Sequence, residues 1–181
     1  TKTIEAFPEF TGANDGASST ALLMHLMQQI AQSEKWQNSC EMRFVFFDGE
    51  EALVEYTEED GLNGSRRYAQ QLYQKNEHTK CRAMLLMDMI GDKDFKLTIP
   101  SNSDSKLIEQ TREISHQLKL DDFFSVLQSD GFYDDHIPFR RLGIASIDFI
   151  DFRYGPKHDE RSGGAFWHSD EDTIAKLSAE S

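Results

Sequence analysis

Residues 42–51 read MRFVFFDGEE. The first six are nearly all apolar and too few for a helix, so they predict a short strand buried on both faces. That run stops at Asp48, Gly49, Glu50 and Glu51. Adjacent carboxylates repel each other, and a half-buried one is costly unless positive charge lies beside it. A solvated turn is one answer. A metal ion at the end of the strand is the other.

The same alternation of apolar runs and helical patterns extends outward in both directions. Residues 1–14 read as an irregular lead-in. A helix is expected over 16–33, with Leu22, Leu23, Leu26, Met27 and Ile30 on one face and Asp15 at its start, where a carboxylate suits the helix dipole. A second helix is expected over 63–76, then a buried strand over 82–87 closing on Asp88, and a short strand over 95–100. Residues 103–120 form an amphipathic pattern that turns Leu107, Ile108, Ile114 and Leu118 inward. The loop QSDGFYDDH (128–136) leads to a short helix at 137–143 and a third buried strand over 144–150. A glycine-bearing loop over 152–166 precedes WHSDEDT (167–173), and a last helix runs to Ser181. Strands alternating with helices predict an α/β fold, a mostly parallel mixed sheet with helices on both faces. The 181 residues show no repeat or linker and are read as a single domain, 1–181.

Composition narrows the function. Hydrophobic residues make up 38% and charged residues 28%, the profile of a soluble globular chain. A net charge of −13 repels phosphate backbones, so nucleic acid is not an expected partner. No apolar run approaches the ~18 residues of a membrane span. Cys40 and Cys81 belong to no CxxC pair, which excludes a thiolate zinc site. Each precedes an expected strand, and the sequence leaves a disulfide and two free buried thiols equally open.

In open α/β sheets, ligands sit beyond the carboxyl ends of the strands. Asp48, Glu50 and Glu51 follow one strand, Asp88 closes another, and Asp148 and Asp151 lie near the end of a third, whose following loop leads to His168. Acids gathered on one rim raise each other's pKa, and a divalent cation removes that penalty. Zinc accepts carboxylate oxygen and imidazole nitrogen, and a catalytic zinc keeps three protein ligands and an open position. Magnesium and calcium take more oxygens and no histidine. One Asp, one Glu and one His therefore favour zinc. Of two adjacent glutamates, one can ligate while its neighbour serves as general base and acid. Plainer readings stand beside each step: a solvated Glu-Glu pair, a helix-capping acid, a surface histidine.

Five segments, taken in order, resemble the zinc-dependent exopeptidases. They are GANDGASSTALLMHLMQQIA (12–31), FVFFDGEEA (44–52) with DGLNGSRRYA (60–69), LLMDMIG (85–91), DDHIPF (134–139) and WHSDEDT (167–173). Two branches of that superfamily fit, the glutaminyl-peptide cyclotransferases and the dinuclear zinc aminopeptidases. The extended acidic stretch ALVEYTEEDGLNGSRRYA (52–69) and DDHIPF followed by an arginine pair are similar to the cyclases. The resemblance implies an α/β/α sandwich, with Asp15, Glu51 and His168 as zinc ligands and Glu50 as general base and acid. It makes Asp88 and Asp134 acids of the catalytic centre, and Trp167, Phe132 and Tyr133 the walls of the substrate pocket. The implied activity is conversion of an N-terminal Gln of a peptide or protein to pyroglutamate with release of ammonia, using one zinc ion. The alternative is aminopeptidase hydrolysis with two, Asp88 then holding the second.

The departures are specific. Tyr56 stands where the cyclases carry a Trp, and Thr20 where animal cyclases carry a Cys. The first His of the aminopeptidases would precede residue 1, so the chain is expected to lack part of the amino-terminal region. The compartment expected by resemblance is secreted or periplasmic. His136, after Asp135, is read either as a hydrogen-bonding loop residue or as part of the catalytic centre.

Overall fold

Apolar side chains mark a segment for burial, but a strand also needs a hydrogen-bonding partner. That second requirement decides which of the expected strands form. The computed structural model describes residues 10–37, 40–57, 59–127, 132–156 and 164–179. Residues 1–9 of the lead-in, loop residues 128–131, loop residues 157–163 with His158, and the last two residues of the expected final helix lie outside them.

Four strands form one sheet among the described residues: β1 (Met84–Asp88), β2 (Leu97–Pro100), β3 (Phe124–Leu127) and β4 (Ser146–Ile150). Their order is β1-β4-β2-β3. β1 and β4 run parallel, from Met84 opposite Ser146 to Asp88 opposite Ile150. β2 and β3 are also parallel, and the two pairs meet antiparallel at Thr98 and Ile150. The sheet is thus mixed and mostly parallel, and the carboxyl ends of β1 and β4 coincide.

Five α-helices accompany it among the described residues: α1 (Ser19–Gln32), α2 (Glu34–Gln37), α3 (Asn63–Gln74), α4 (Ser105–Leu118) and α5 (Ile137–Arg141). Asp104 caps α4 by accepting from the Lys106 and Leu107 N–H groups at 3.0 and 3.2 Å. α4 and α5 pack on β4, and α3 packs on α5. Ala69 and Leu72 of α3 bury themselves with Phe139 and Ile144. A second cluster, Met89, Ile150 and Tyr154, lies at the carboxyl ends of β1 and β4, with Phe152, Phe166 and Trp167 against it.

Several expectations are corrected. Residues 42–47 join no strand ladder among the described residues, and their side chains are half-buried to exposed. The run is held instead by Phe47, whose ring meets Tyr68 and Phe139 at 6.3 and 5.9 Å. α1 begins at Ser19, after a π-type turn over Ala13–Ser18, and Met27 on its expected inner face is exposed. On α4, Ile114 and Leu118 face solvent, whereas the stripe Leu107, Thr111, Ser115 turns inward at i+4 steps. β3 was not expected, being four residues without a pattern of its own. The expected final helix is one 3₁₀ turn, Ile174–Lys176. The chain there is drawn instead into a bridge between Leu177 and Asp92, with the Ser178 N–H donating to the Gly91 carbonyl. No disulfide joins Cys40 and Cys81; Cys40 is exposed and Cys81 partly buried.

Burial separates residues that sequence periodicity groups together. Ile147→Ala, at a fully buried position of β4, should cost about 2–5 kcal/mol and lower Tm by roughly 4–20 °C. Ile114→Ala, on exposed α4 surface, should shift stability by no more than about 0.5 kcal/mol. Equal losses in thermal melts would contradict the α4 orientation described here.

Candidate metal centre

Asp15 projects from the turn Ala13–Ser18, and the chain holds that turn through buried hydrogen bonds. The Asp172 carboxylate accepts from the Asn14 and Asp15 N–H groups at 2.8 and 3.1 Å and from the Tyr154 hydroxyl at 2.7 Å. The Asn14 amide donates to the Met89 carbonyl and accepts from the Gly91 N–H, tying the turn to the segment after β1. Gly91 is required there, because a Cβ would lie 2.8 Å from Ser18 Cβ and 3.1 Å from Asn14 Oδ1. Asp172 is fully buried.

Glu50 and Glu51 sit on a turn clamped to the start of α3. The Asn63 N–H donates to the Gly49 carbonyl and the Leu62 N–H to the Glu50 carbonyl, at 2.8 and 2.7 Å. Gly64 makes this approach possible, since a Cβ there would lie 2.6 Å from the Asp48 carbonyl oxygen. His168 comes from the carboxyl-terminal loop, stacked on Trp167 at 4.1 Å and meeting Phe10 edge-on.

These three elements converge. His168 Nε2 lies 2.8 Å from Glu51 Oε1 and 3.3 Å from Asp15 Oδ2. One ligand atom from each of Asp15, Glu51 and His168 lies within 4.8 Å of the others. Asp15 Oδ2 is buried and pairs only with the imidazole, at 3.3 Å. A buried carboxylate oxygen so sparsely partnered, beside a second carboxylate and an imidazole, suits a small divalent cation, and this donor set suits zinc. The three residues therefore fit a metal. Burial alone would lower the His168 pKa, but the neighbouring carboxylates of Asp15 and Glu51 outweigh it and bring the metal-free imidazole up to about 10. Burial raises Asp15, and the charge of Glu51 adds to it.

A cavity of about 220 Å³ opens beside this trio. Glu50, Asp88 and Asp134 line it, as do Phe132, Tyr133, Phe152 and Trp167. The nine residues that the family resemblance assigns to the site all line it. Burial, then the charges of Asp134 and Glu51, lifts Glu50 to about 9. Burial and the Asp135 charge bring Asp134 to about 7. Asp88 and Asp148 are held well above the ordinary carboxylate range by burial first and by Asp134 next. Phe132 packs edge-on against Phe152 at 4.0 Å.

Other acids on the expected rim do not join. Asp48 is exposed. Asp151 accepts from the Lys96 and Arg153 N–H groups and stabilises its own loop. His136 does not line the cavity; it is fully buried, 3.8 Å from Asp148 Oδ2. Desolvation pushes it down to about 4, so the contact is between a neutral imidazole and a carboxyl and not an ion pair. The sequence reading missed Asp172, though it stands inside a quoted motif, and gave Tyr56 no role. Nothing in local sequence distinguishes Asp172 from the acids around it; only the fold brings Asn14 and Tyr154 to it.

Known proteins resemble this chain in sequence and fold. A model of the family described as Peptidase family M28 matches residues 2–181. A glutaminyl cyclase of an Acidobacteriales bacterium, a solved structure, is 34% identical with a TM-score of 0.83, over 95% of this chain and 57% of that one. The glutaminyl-peptide cyclotransferase of Dictyostelium discoideum is 28% identical over 179 residues, 84% of this chain and 49% of the relative. A zinc aminopeptidase from Bacillus subtilis is 25% identical with a TM-score of 0.63, over 93% of this chain and 38% of that one. This chain spans about half the length of the curated relatives it matches.

The crowded acids set a pH dependence for the metal-free protein. A raised carboxylate keeps its proton in the fold where the unfolded chain, titrating near 4, has lost it. Stability therefore falls as pH rises toward about 7 for Asp134 and about 9 for Glu50. His168 acts in the same direction: its stabilisation is full below about 6.5 and is lost as pH rises through about 10. His136, pushed down, opposes this only below about 6.5. Metal-free protein should melt at progressively lower temperature from about pH 6.5 to 9. Zinc at about 100 times its Kd should add about 2.7 kcal/mol, or roughly 5–10 °C. A melting temperature indifferent to both pH and zinc would argue against this account.

Proposed function

We propose, from the premise that this chain belongs to peptidase family M28, that it holds one zinc ion on Asp15, Glu51 and His168 and cyclises N-terminal glutamine to pyroglutamate. The observation that carries this reading is the convergence of those three side chains on one point, with Glu50 beside them in the same cavity. The likeness to the Acidobacteriales glutaminyl cyclase exceeds that to the zinc aminopeptidase in both identity and TM-score, which favours cyclisation over hydrolysis. Residues 1–181 would then act as one catalytic domain on peptide or protein N-termini, in a secreted or periplasmic setting. Among the described residues no helix is long and apolar enough to cross a membrane.

A bound zinc would supply Lewis-acid polarisation of the side-chain amide carbonyl. Glu50 takes a proton from the substrate's α-amine as that nitrogen bonds to the amide carbon. It then returns the proton to the departing amide nitrogen, which leaves as ammonia. One C–N bond forms and one breaks, so Glu50 ends as it began. In the metal-free site, burial among other acids holds a proton on Glu50 more tightly than on an ordinary carboxylate. Nucleophile and electrophile belong to one residue, so ring closure carries a small entropic cost, with effective molarities on the order of 10⁵ M or more in well-oriented cases. Trp167, Phe132 and Tyr133 exclude water that would otherwise hydrolyse the amide.

The second reading is a zinc aminopeptidase in which Asp88 serves a second ion; Asp88 does line the same cavity. Substrate tests separate the two. Zinc-loaded protein given a Gln-peptide should release ammonia, with pyroglutamate at the new N-terminus, and should leave a Leu-anilide intact. Aniline release instead would overturn the cyclase reading. Glu50→Gln should keep its zinc and lose roughly 10²–10⁴-fold in kcat; undiminished turnover would remove Glu50 from its role.

A further inference from the structure

The phenol of Tyr56 touches both members of the glutamate pair. Its hydroxyl lies 2.8 Å from Glu51 Oε2 and 3.1 Å from Glu50 Oε2. The other oxygen of Glu51, Oε1, is the one 2.8 Å from His168 Nε2. The two oxygens of Glu51 therefore face different partners, one the phenol and the other the imidazole. We infer that Tyr56 is a positioning residue: it holds Glu51 by Oε2 and so presents Oε1 toward the metal, an inference that rests on the metal reading above. A phenol has one proton to donate, and the shorter contact assigns it to Glu51. Glu50 is kept alongside, within reach of the same oxygen.

The loop that carries Tyr56 is built to fix the ring. The Asp60 carboxylate accepts from three successive N–H groups, those of Leu53, Val54 and Glu55, at 2.8, 2.8 and 3.1 Å. Gly61, at φ +84°, lies directly against the ring; a Cβ there would stand 2.8 Å from Tyr56 Cδ1. The Tyr133 hydroxyl donates to the Thr57 carbonyl at 3.2 Å, joining the loop to the lining of the cavity. Tyr56 itself lines that cavity. Partners that orient a metal's ligands typically contribute about 10–100-fold to metal affinity.

Zinc dissociation constants, measured on the full chain by competition with a chromogenic chelator, test the assignment. Tyr56→Phe keeps the ring and removes the hydroxyl. It should bind zinc roughly 10-fold or more weakly, with an unchanged metal-free Tm and a shifted visible spectrum when loaded with cobalt(II). Glu51→Gln should bind more weakly still. Zinc affinity and cobalt spectrum both unchanged in Tyr56→Phe, with Glu51→Gln impaired, overturns the role of Tyr56 and leaves the metal reading standing. Equal zinc binding by wild type and Glu51→Gln overturns the metal reading, and this inference with it. Should Tyr56→Phe fail to fold, Gly61→Ala is measured in its place, since it keeps the hydroxyl and displaces the ring. Weakened zinc binding supports the assignment, and undiminished binding overturns it.

Discussion

Carboxylates crowded into a low-dielectric cavity cannot all ionise unless positive charge joins them, and this constraint shapes the site. Asp15, Glu50, Asp88, Asp134 and Asp148 are each raised, with burial first among the causes. Protons can relieve the repulsion in part. A divalent ion at the meeting point of Asp15, Glu51 and His168 would relieve it more fully and would give Asp15 Oδ2 a further partner. The metal-free site is thus a strained electrostatic arrangement, held by the rest of the fold against its own repulsion.

Asp172 shows how that hold is achieved. It is buried and charged-type, yet it has more than enough donors, with two backbone N–H groups and the Tyr154 hydroxyl on its carboxylate. It lies four residues beyond His168, so one loop carries both the imidazole of the converging trio and the acceptor that fixes the Asp15 turn. Movement of that loop would displace two of the three converging groups together. The glutamate turn has its own anchor at the start of α3, where Gly64 admits the Asp48 backbone. The site is therefore assembled from three segments, each fixed by backbone contacts that a local pattern does not reveal.

What the sequence made legible follows from the same division. Residue type and order marked nine of the thirteen residues lining the cavity, because carboxylates, imidazoles and aromatic rings are chemically distinctive and the family's motifs keep their order. Strand chemistry was read well where a partner exists: Met84–Asp88 and Ser146–Ile150 pair in register. It failed at 42–47, where the apolar pattern is strong but no ladder partner exists among the described residues. It failed again on α4, where Ser115 and Thr111 face inward although they carry little hydrophobic signal. The final helix failed for another reason. Its residues are drawn into a bridge with Asp92, a tertiary contact that outweighs a short helix's small intrinsic stability.

The cavity's lining bears on why an N-terminus would enter it. Acidic and aromatic side chains both line its volume of about 220 Å³. A charged α-ammonium is drawn to the acids by a protein carrying −13 overall. Attack, however, requires the neutral amine, so Glu50 must be basic enough to take that proton. An ordinary exposed glutamate would be poorly matched to an amine. Glu50, its proton held more tightly in the metal-free site by burial and by Asp134, is better matched. The crowding that makes the site costly to assemble is thus the property the proposed reaction uses.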